Sequence, residues 1–268
     1  MSKDLRGRVA LVTGSSRGIG RQTAVALASL GARVVLNGRD ETQLRKVQAQ
    51  MSAAGLEAAA VAADVASLPE CERLAESAFR FWNRLDILVN NAGVSARGRF
   101  AATRPEVFSR VVATNLLGPL YLTRLALPRL QESGGSVVFV SSLAALHGIP
   151  GGAIYSTSKM ALTALAQALR AELRGVHVGI LYVGFTRNDP GKLFFRPDGS
   201  LGPLERRYRY SLTQEQVAEA VVGMVLLRRR SRVLTGLGQA ICLLGRLSPR
   251  LLEALVGAVG RKTDPLGQ

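Results

Sequence analysis

The chain has 268 residues, 47% hydrophobic and 20% charged, long and apolar enough to bury a large core. Its two cysteines, Cys71 and Cys242, cannot form a disulfide framework and lack metal-ligand spacing, so no metal site is expected. The net charge of +16, from 35 basic against 19 acidic residues, suits an anionic partner (nucleic acid, a membrane surface or a phosphorylated ligand) or reflects a proteome-wide arginine bias. Aromatics at 5% and scattered arginines make nucleic acid the weakest of these.

The start, MSKDLRGRVALVTG, is charged and passes directly into a short apolar strand pattern, with no segment of signal-peptide length. A reducing, cytoplasmic setting is therefore expected. Apolar runs and helical patterns then alternate. VALVTG precedes a helix over about 18–31, VVLNGR one over 40–54, AAAVAADV one near 67–83, and DILVNNAG one near 106–132. SVVFVSS leads to a helix starting near Gly152, and VHVGILYVG follows. Near-continuous apolar strands alternating with helices predict an α/β fold: a Rossmann-like, doubly wound parallel sheet of about seven strands with helices on both faces.

The first strand-to-helix turn reads Thr13, Gly14, Ser15, Ser16, Arg17, Gly18, Ile19, Gly20. Glycines there permit a tight turn and close approach of a pyrophosphate, whose charge the helix N-terminus favours. An acidic residue ending the second strand would bind a ribose 2′-hydroxyl, but here stand Asn37, Gly38 and Arg39. Arg39 and Arg17 suit a 2′-phosphate, and Asp40 is expected to cap the next helix, so NADP(H) is favoured over NAD(H). Asp64 and Val65, the run Asn90-Asn91-Ala92-Gly93, and Gly184 lie at strand C-terminal ends, where such sheets bind ligands. Asn115 is a polar amide in an otherwise apolar helix and needs a partner: a water, a backbone carbonyl or a purely structural contact.

The richest stretch is SLAALHGIPGGAIYSTSK, Ser142 to Lys159. A hydroxyl ends a buried strand there, and the next helix carries Tyr155 and Lys159 four residues apart, on one face. An ammonium beside a phenol stabilises tyrosinate, and a tyrosine so tuned can exchange a proton with a carbonyl or alcohol oxygen.

In order and spacing, TGSSRGIG, NNAG, Asn115, Ser142, Tyr155-x-x-x-Lys159 and Gly184 resemble the short-chain dehydrogenase/reductase family over roughly residues 7–190. The resemblance implies Tyr155 as general acid/base, Lys159 lowering its pKa and binding the nicotinamide ribose, Ser142 holding the substrate oxygen, and Asn115 supporting a water-linked relay. It also implies homodimers or homotetramers packed through the helices bearing Asn115 and Tyr155. The chain departs from the family after the sixth strand, where Val183-Gly184-Phe185-Thr186-Arg187-Asn188 replaces the usual Pro-Gly and later Thr. Thr186 or Asn188 is then the candidate cofactor contact.

Residues 187–212, rich in Pro, Gly and Arg, are expected to form a substrate lid, with Phe185, Phe194 and Phe195 lining a pocket or simply packing. His147 reads as an exposed loop histidine. A helix capped by Thr213 and a strand at RVLTG complete a single domain over 1–237. Residues 238–268 continue as two apolar helical stretches split by Ser248-Pro249, each too short to cross a bilayer. They would cover the cleft, join an oligomer, or lie on an anionic membrane beside Arg228, Arg229, Arg230 and Arg232. The expectation is an NADP(H)-dependent oxidoreductase interconverting a carbonyl and a secondary alcohol on an apolar acyl-, lipid- or steroid-like substrate. The alternatives are a dinucleotide-binding sensor or scaffold at a membrane, and a non-redox lyase or epimerase.

Overall fold

A computed structural model describes residues 4–187, 191–203 and 211–263. In chain order it runs β1 (Val9–Val12), α1 (Gly18–Ala28), β2 (Arg33–Gly38), α2 (Glu41–Ala53), β3 (Ala58–Ala62), α3 (Leu68–Arg80), β4 (Ile87–Asn90) and a two-residue β5 (Ser95–Ala96). There follow α4 (Pro105–Val112), α5 (Gly118–Glu132), β6 (Ser136–Ser142), α6 (Ala153–Glu172) and β7 (His177–Val183). The last elements are β8 (Leu193–Phe195), β9 (Leu201–Pro203), α7 (Gln214–Leu226), β10 (Ser231–Val233), α8 (Gly236–Leu247) and α9 (Pro249–Thr263).

Seven strands form one parallel sheet in the order β10-β7-β6-β4-β1-β2-β3, as the alternating pattern predicts. Successive side chains of a strand point to opposite faces. In β1, Ala10 and Val12 therefore pack with Leu27, Leu44 and Val221 on one side, while Val9 and Leu11 meet Leu74, Leu122 and Leu162 on the other. That is why the strands read as unbroken apolar runs. The strand order reverses between β1 and β4, and the crevice outside their C-terminal ends is where this architecture binds ligands.

Local chemistry sets the helix starts. Asp40 caps α2 by accepting from the Gln43 amide at 3.0 Å, as expected, and Thr213 and Gln216 form a reciprocal capping box on α7.

Three features differ from the sequence expectation. The helix expected over 106–132 is interrupted by a π-helical turn, Ala113–Leu117, in which the Gly118 amide donates to the Ala113 carbonyl. Pro119 has no N–H with which to close an α-helical bond onto the Asn115 carbonyl. The lid carries an antiparallel hairpin, β8 with β9, and β8 also pairs in parallel with β5, making a second three-stranded sheet. Finally, Arg228 reaches the carbonyls of Gly134 and Gly175, which precede β6 and β7. That guanidinium lies at the opposite end of the sheet from the start of α8 and does not flank the terminal helices. Parts of the expected lid, including Asn188, lie outside the described residues.

Candidate active site

The glycine turn is built by three different constraints. Gly14 and Gly18 adopt φ of +63° and +59°, in the left-handed region that glycine tolerates. Gly20 is excluded from carrying a side chain by space, since a Cβ there would sit 2.2 Å from the Gly14 carbonyl oxygen. No side chain caps α1 and its first turn has no acidic residue, so its amides suit the phosphates of a dinucleotide. Asn91 braces the turn, its amide nitrogen donating to the Thr13 and Gly14 carbonyls at 2.8 and 3.2 Å. The Thr13 hydroxyl accepts from the Asn91 and Ala92 amides, tying the end of β1 to the loop that carries Ala92 and Gly93. Thr13 and Asn91 are framework residues whose part is visible only when β1 and β4 lie side by side.

The side chains of several expected cofactor contacts also take part in the framework. The Ser15 hydroxyl is buried and exchanges hydrogen bonds with the backbone of Asn37. Asn37 is itself buried, donating to the Val61 and Ala63 carbonyls, so its side chain joins β2 to β3. Asn90 is buried against the Thr123 hydroxyl at 3.1 Å. The Asn37 amide nitrogen is thus satisfied inside the sheet, whereas the buried Asn90 Oδ1 has no hydrogen-bond partner among the described residues. Val65 is buried too, and Ile19 packs partly into the core. Asp64 and Ser16 remain partly open at the rim. Arg39 is exposed, with its guanidinium 4.0 Å from the Asp64 carboxylate, while Arg17 donates to the Gly191 carbonyl at 2.9 Å and so connects the turn to the lid. Gly184 is held to a hydrogen by the Thr235 methyl, 2.7 Å from where its Cβ would lie, and Thr186 donates to the Gly184 carbonyl.

At the catalytic end, β6 delivers Ser142 and α6 delivers Tyr155 and Lys159. Ser142 accepts from the Ala144 amide, and its hydroxyl lies near the Tyr155 phenol. Burial pushes the Tyr155 phenol above its ordinary value, and the neighbouring Ser142 hydroxyl opposes that shift. Lys159 is 5% exposed and donates to the Val140 carbonyl at 3.1 Å. Burial, with Lys192 of the lid adding repulsion, brings its ammonium down to about 8. Ser142 is the group that opposes the rise of the phenol, and the ammonium is engaged by a strand carbonyl. Gly93 abuts the lysine, since a Cβ there would lie 3.4 Å from Lys159 Nζ and 3.2 Å from Asn115 Oδ1.

Asn115 is fully buried. Its carbonyl accepts from the Val94 amide at 2.8 Å, and its amide donates to the Val94 carbonyl at 2.9 Å and to the Ser158 hydroxyl at 3.0 Å. The side chain thus clamps the loop after β4 onto α6. In the lid, Phe195 is buried with Ala96, Val107 and Val111, so it packs rather than lining a pocket, whereas Phe185 is exposed.

This combination of a doubly wound sheet, a glycine cradle and a Ser-Tyr-Lys cluster defines a nucleotide-dependent oxidoreductase class. A family model described as short chain dehydrogenase matches residues 8–192, and the chain belongs to that family. It is 36% identical over 189 residues to a 3-oxoacyl-[acyl-carrier-protein] reductase of Synechocystis, covering 69% of this chain and 76% of that one. It is 30% identical over 269 residues to dehydrogenase/reductase SDR family member 7B of Xenopus laevis, covering 96% and 83%. Among solved structures, an alcohol dehydrogenase of Thermococcus sibiricus complexed with 5-hydroxy-NADP is similar with a TM-score of 0.75 at 26% identity, covering 85% of this chain and 95% of that one.

Proposed function

We propose that the protein is an NADP(H)-dependent reductase that interconverts a carbonyl and a secondary alcohol on an apolar substrate. The observation that carries this reading is the placing of Ser142 at the end of β6 close enough to perturb the Tyr155 phenol on α6, with Lys159 one turn further along the same helix face beside the glycine cradle. The Gly14–Gly20 turn and the uncapped start of α1 suit the pyrophosphate, and Gly93 leaves room beside Lys159 for a ribose. When bound, the dinucleotide supplies or accepts the hydride.

The chain's own residues hold the substrate and move the proton. Ser142 fixes the substrate oxygen by hydrogen bonding while Tyr155 delivers the proton to it, and Lys159 feeds the return of that proton to Tyr155. Arg39, exposed at the end of β2, supports the 2′-phosphorylated cofactor, because no acidic side chain ends that strand to repel it. Exposed Phe185 and Leu193, on the lid flanking Gly184 and Lys192, support an apolar substrate.

Fluorescence titration with NADPH and NADH tests this. The expected outcome is preference for NADPH, weakened about tenfold or more by Arg39→Ala with NADH affinity unchanged. Tyr155→Phe is expected to bind NADPH as the wild type does while turnover falls by about 10²-fold or more. Preference for NADH would overturn the 2′-phosphate assignment, and binding of neither would overturn the dinucleotide reading.

A further inference from the structure

The last two described helices keep most of their leucines outside. Leu237, Leu243 and Leu247 of α8 and Leu251 and Leu255 of α9 are between 49% and 74% exposed. Spaced four to six residues apart, they run along the outer face of each helix, joined by Ala240 on α8 and by Ala254 on α9. The inner faces are used differently. Leu252 is buried and meets the position where Gly245 would carry a Cβ, so the two helices pack on each other. The outer stripe is therefore not the seam of this hairpin.

We infer that the outer faces of α8 and α9 form a docking surface for an anionic phospholipid membrane. Charge selects that occupant. Arg246 and Arg250 border the stripe, both exposed. Glu253, the one acidic residue between Gly236 and Ala258, lines an inward groove of about 510 Å³ with His147 and Met160. The outer face therefore carries no negative charge. A second copy would bring the same +16 against it, whereas an anionic bilayer attracts it. Among the described residues no helix is long and apolar enough to cross a membrane, so the contact is interfacial, with leucines at the acyl boundary and arginines at the headgroups. The seat is rigidly tied to the catalytic end: a Cβ at Gly238 would lie 2.3 Å from the Leu143 side chain, next to Ser142. A docked molecule holds its cleft at the bilayer surface.

The test is sedimentation of the purified full-length protein with sucrose-loaded vesicles of phosphatidylcholine alone or with phosphatidylglycerol added. Binding is expected to the anionic vesicles and to weaken with salt. Each of Arg246→Ala and Arg250→Ala is expected to weaken it about fivefold. The triple variant Leu243→Glu, Leu247→Glu, Leu251→Glu should remain in the supernatant with an unchanged thermal melt, since these side chains are exposed. Wild-type protein that ignores anionic vesicles overturns the inference, as does a triple variant that still binds them. Self-association that the triple variant abolishes, without vesicle binding, would instead assign the face to a second copy. None of these outcomes depends on cofactor binding or turnover.

Discussion

Lys159 is held in an environment that disfavours its charge. A buried ammonium brought down to about 8 carries fewer protons when folded than when unfolded between that pH and the ordinary lysine value of 10.5. Stability therefore rises with pH across this window, and below it the buried charge costs on the order of 3 kcal/mol. Lys159→Met is expected to raise the Tm at pH 7 by several degrees and to abolish turnover, with the gain shrinking as pH rises from 8 towards 10.5. Thermal melts of both proteins across that range check it; a gain independent of pH would remove the buried charge as its cause. Asp86, at the far end of the sheet, shows the contrasting case. Burial would raise its carboxyl, but Arg84, Arg8 and the Val9 amide together hold it below its ordinary value. A buried carboxylate is kept charged by three donors, whereas the buried lysine has one carbonyl. That asymmetry fits the proton-transfer role proposed for Lys159.

At the level of the element, the π-helical turn is the departure that matters. It brings Asn115 level with Val94, and Pro119 prevents the chain from closing an ordinary α-helical bond at that point. Pro119→Ala restores the missing N–H and lets the turn relax towards α-helix, withdrawing Asn115 from Val94. The expected result is a fall in kcat of about tenfold with an equal or higher Tm; unchanged kcat would separate the turn from catalysis. Asn115 was recognisable in the sequence as a polar residue in need of a partner. Its partner was not, because Val94 lies 21 residues away and the register was hidden in a single π-turn. The β5–β8 pairing was invisible for a similar reason: two- and three-residue strands carry no periodicity, and their pairing joins distant segments.

At the scale of the whole molecule, the terminal helices are packed onto the catalytic end through small residues. Gly184→Ala would place a methyl 2.7 Å from the Thr235 methyl, forcing β7 and the start of α8 apart. A loss of about 1–3 kcal/mol is expected. Thr235→Ser in the same chain removes the opposing methyl and should restore most of the loss, as a double-mutant cycle by denaturant unfolding would show. Failure of that rescue would mean the glycine is needed for something other than this contact. The same packing bears on assembly. The groove that α9 shares with Ala153, Thr157 and Met160 lies over the first half of α6, so any partner approaching that helix there meets α9 as well.

Much was determined by the sequence alone. The parallel seven-stranded sheet, the glycine turn, the caps at Asp40 and Thr213, the split at Ser248-Pro249 and the Ser142, Tyr155 and Lys159 set all follow from local patterns. Apolar runs, glycine conformations and a four-residue helical interval act over a few residues and can be read there. The tertiary structure decided which polar residues face the cleft and which are consumed by the framework. Ser15, Asn37 and Asn90 sit in motif positions, yet their side chains bond the β2 backbone, the β3 segment and Thr123 of α5 respectively. It also decided that Lys159 donates to a strand carbonyl, and that Arg228 lies away from the terminal helices. Each outcome depends on hydrogen bonds between segments far apart in the chain. A buried polar group takes whichever partner the fold brings within reach, and residue order alone does not say which that will be.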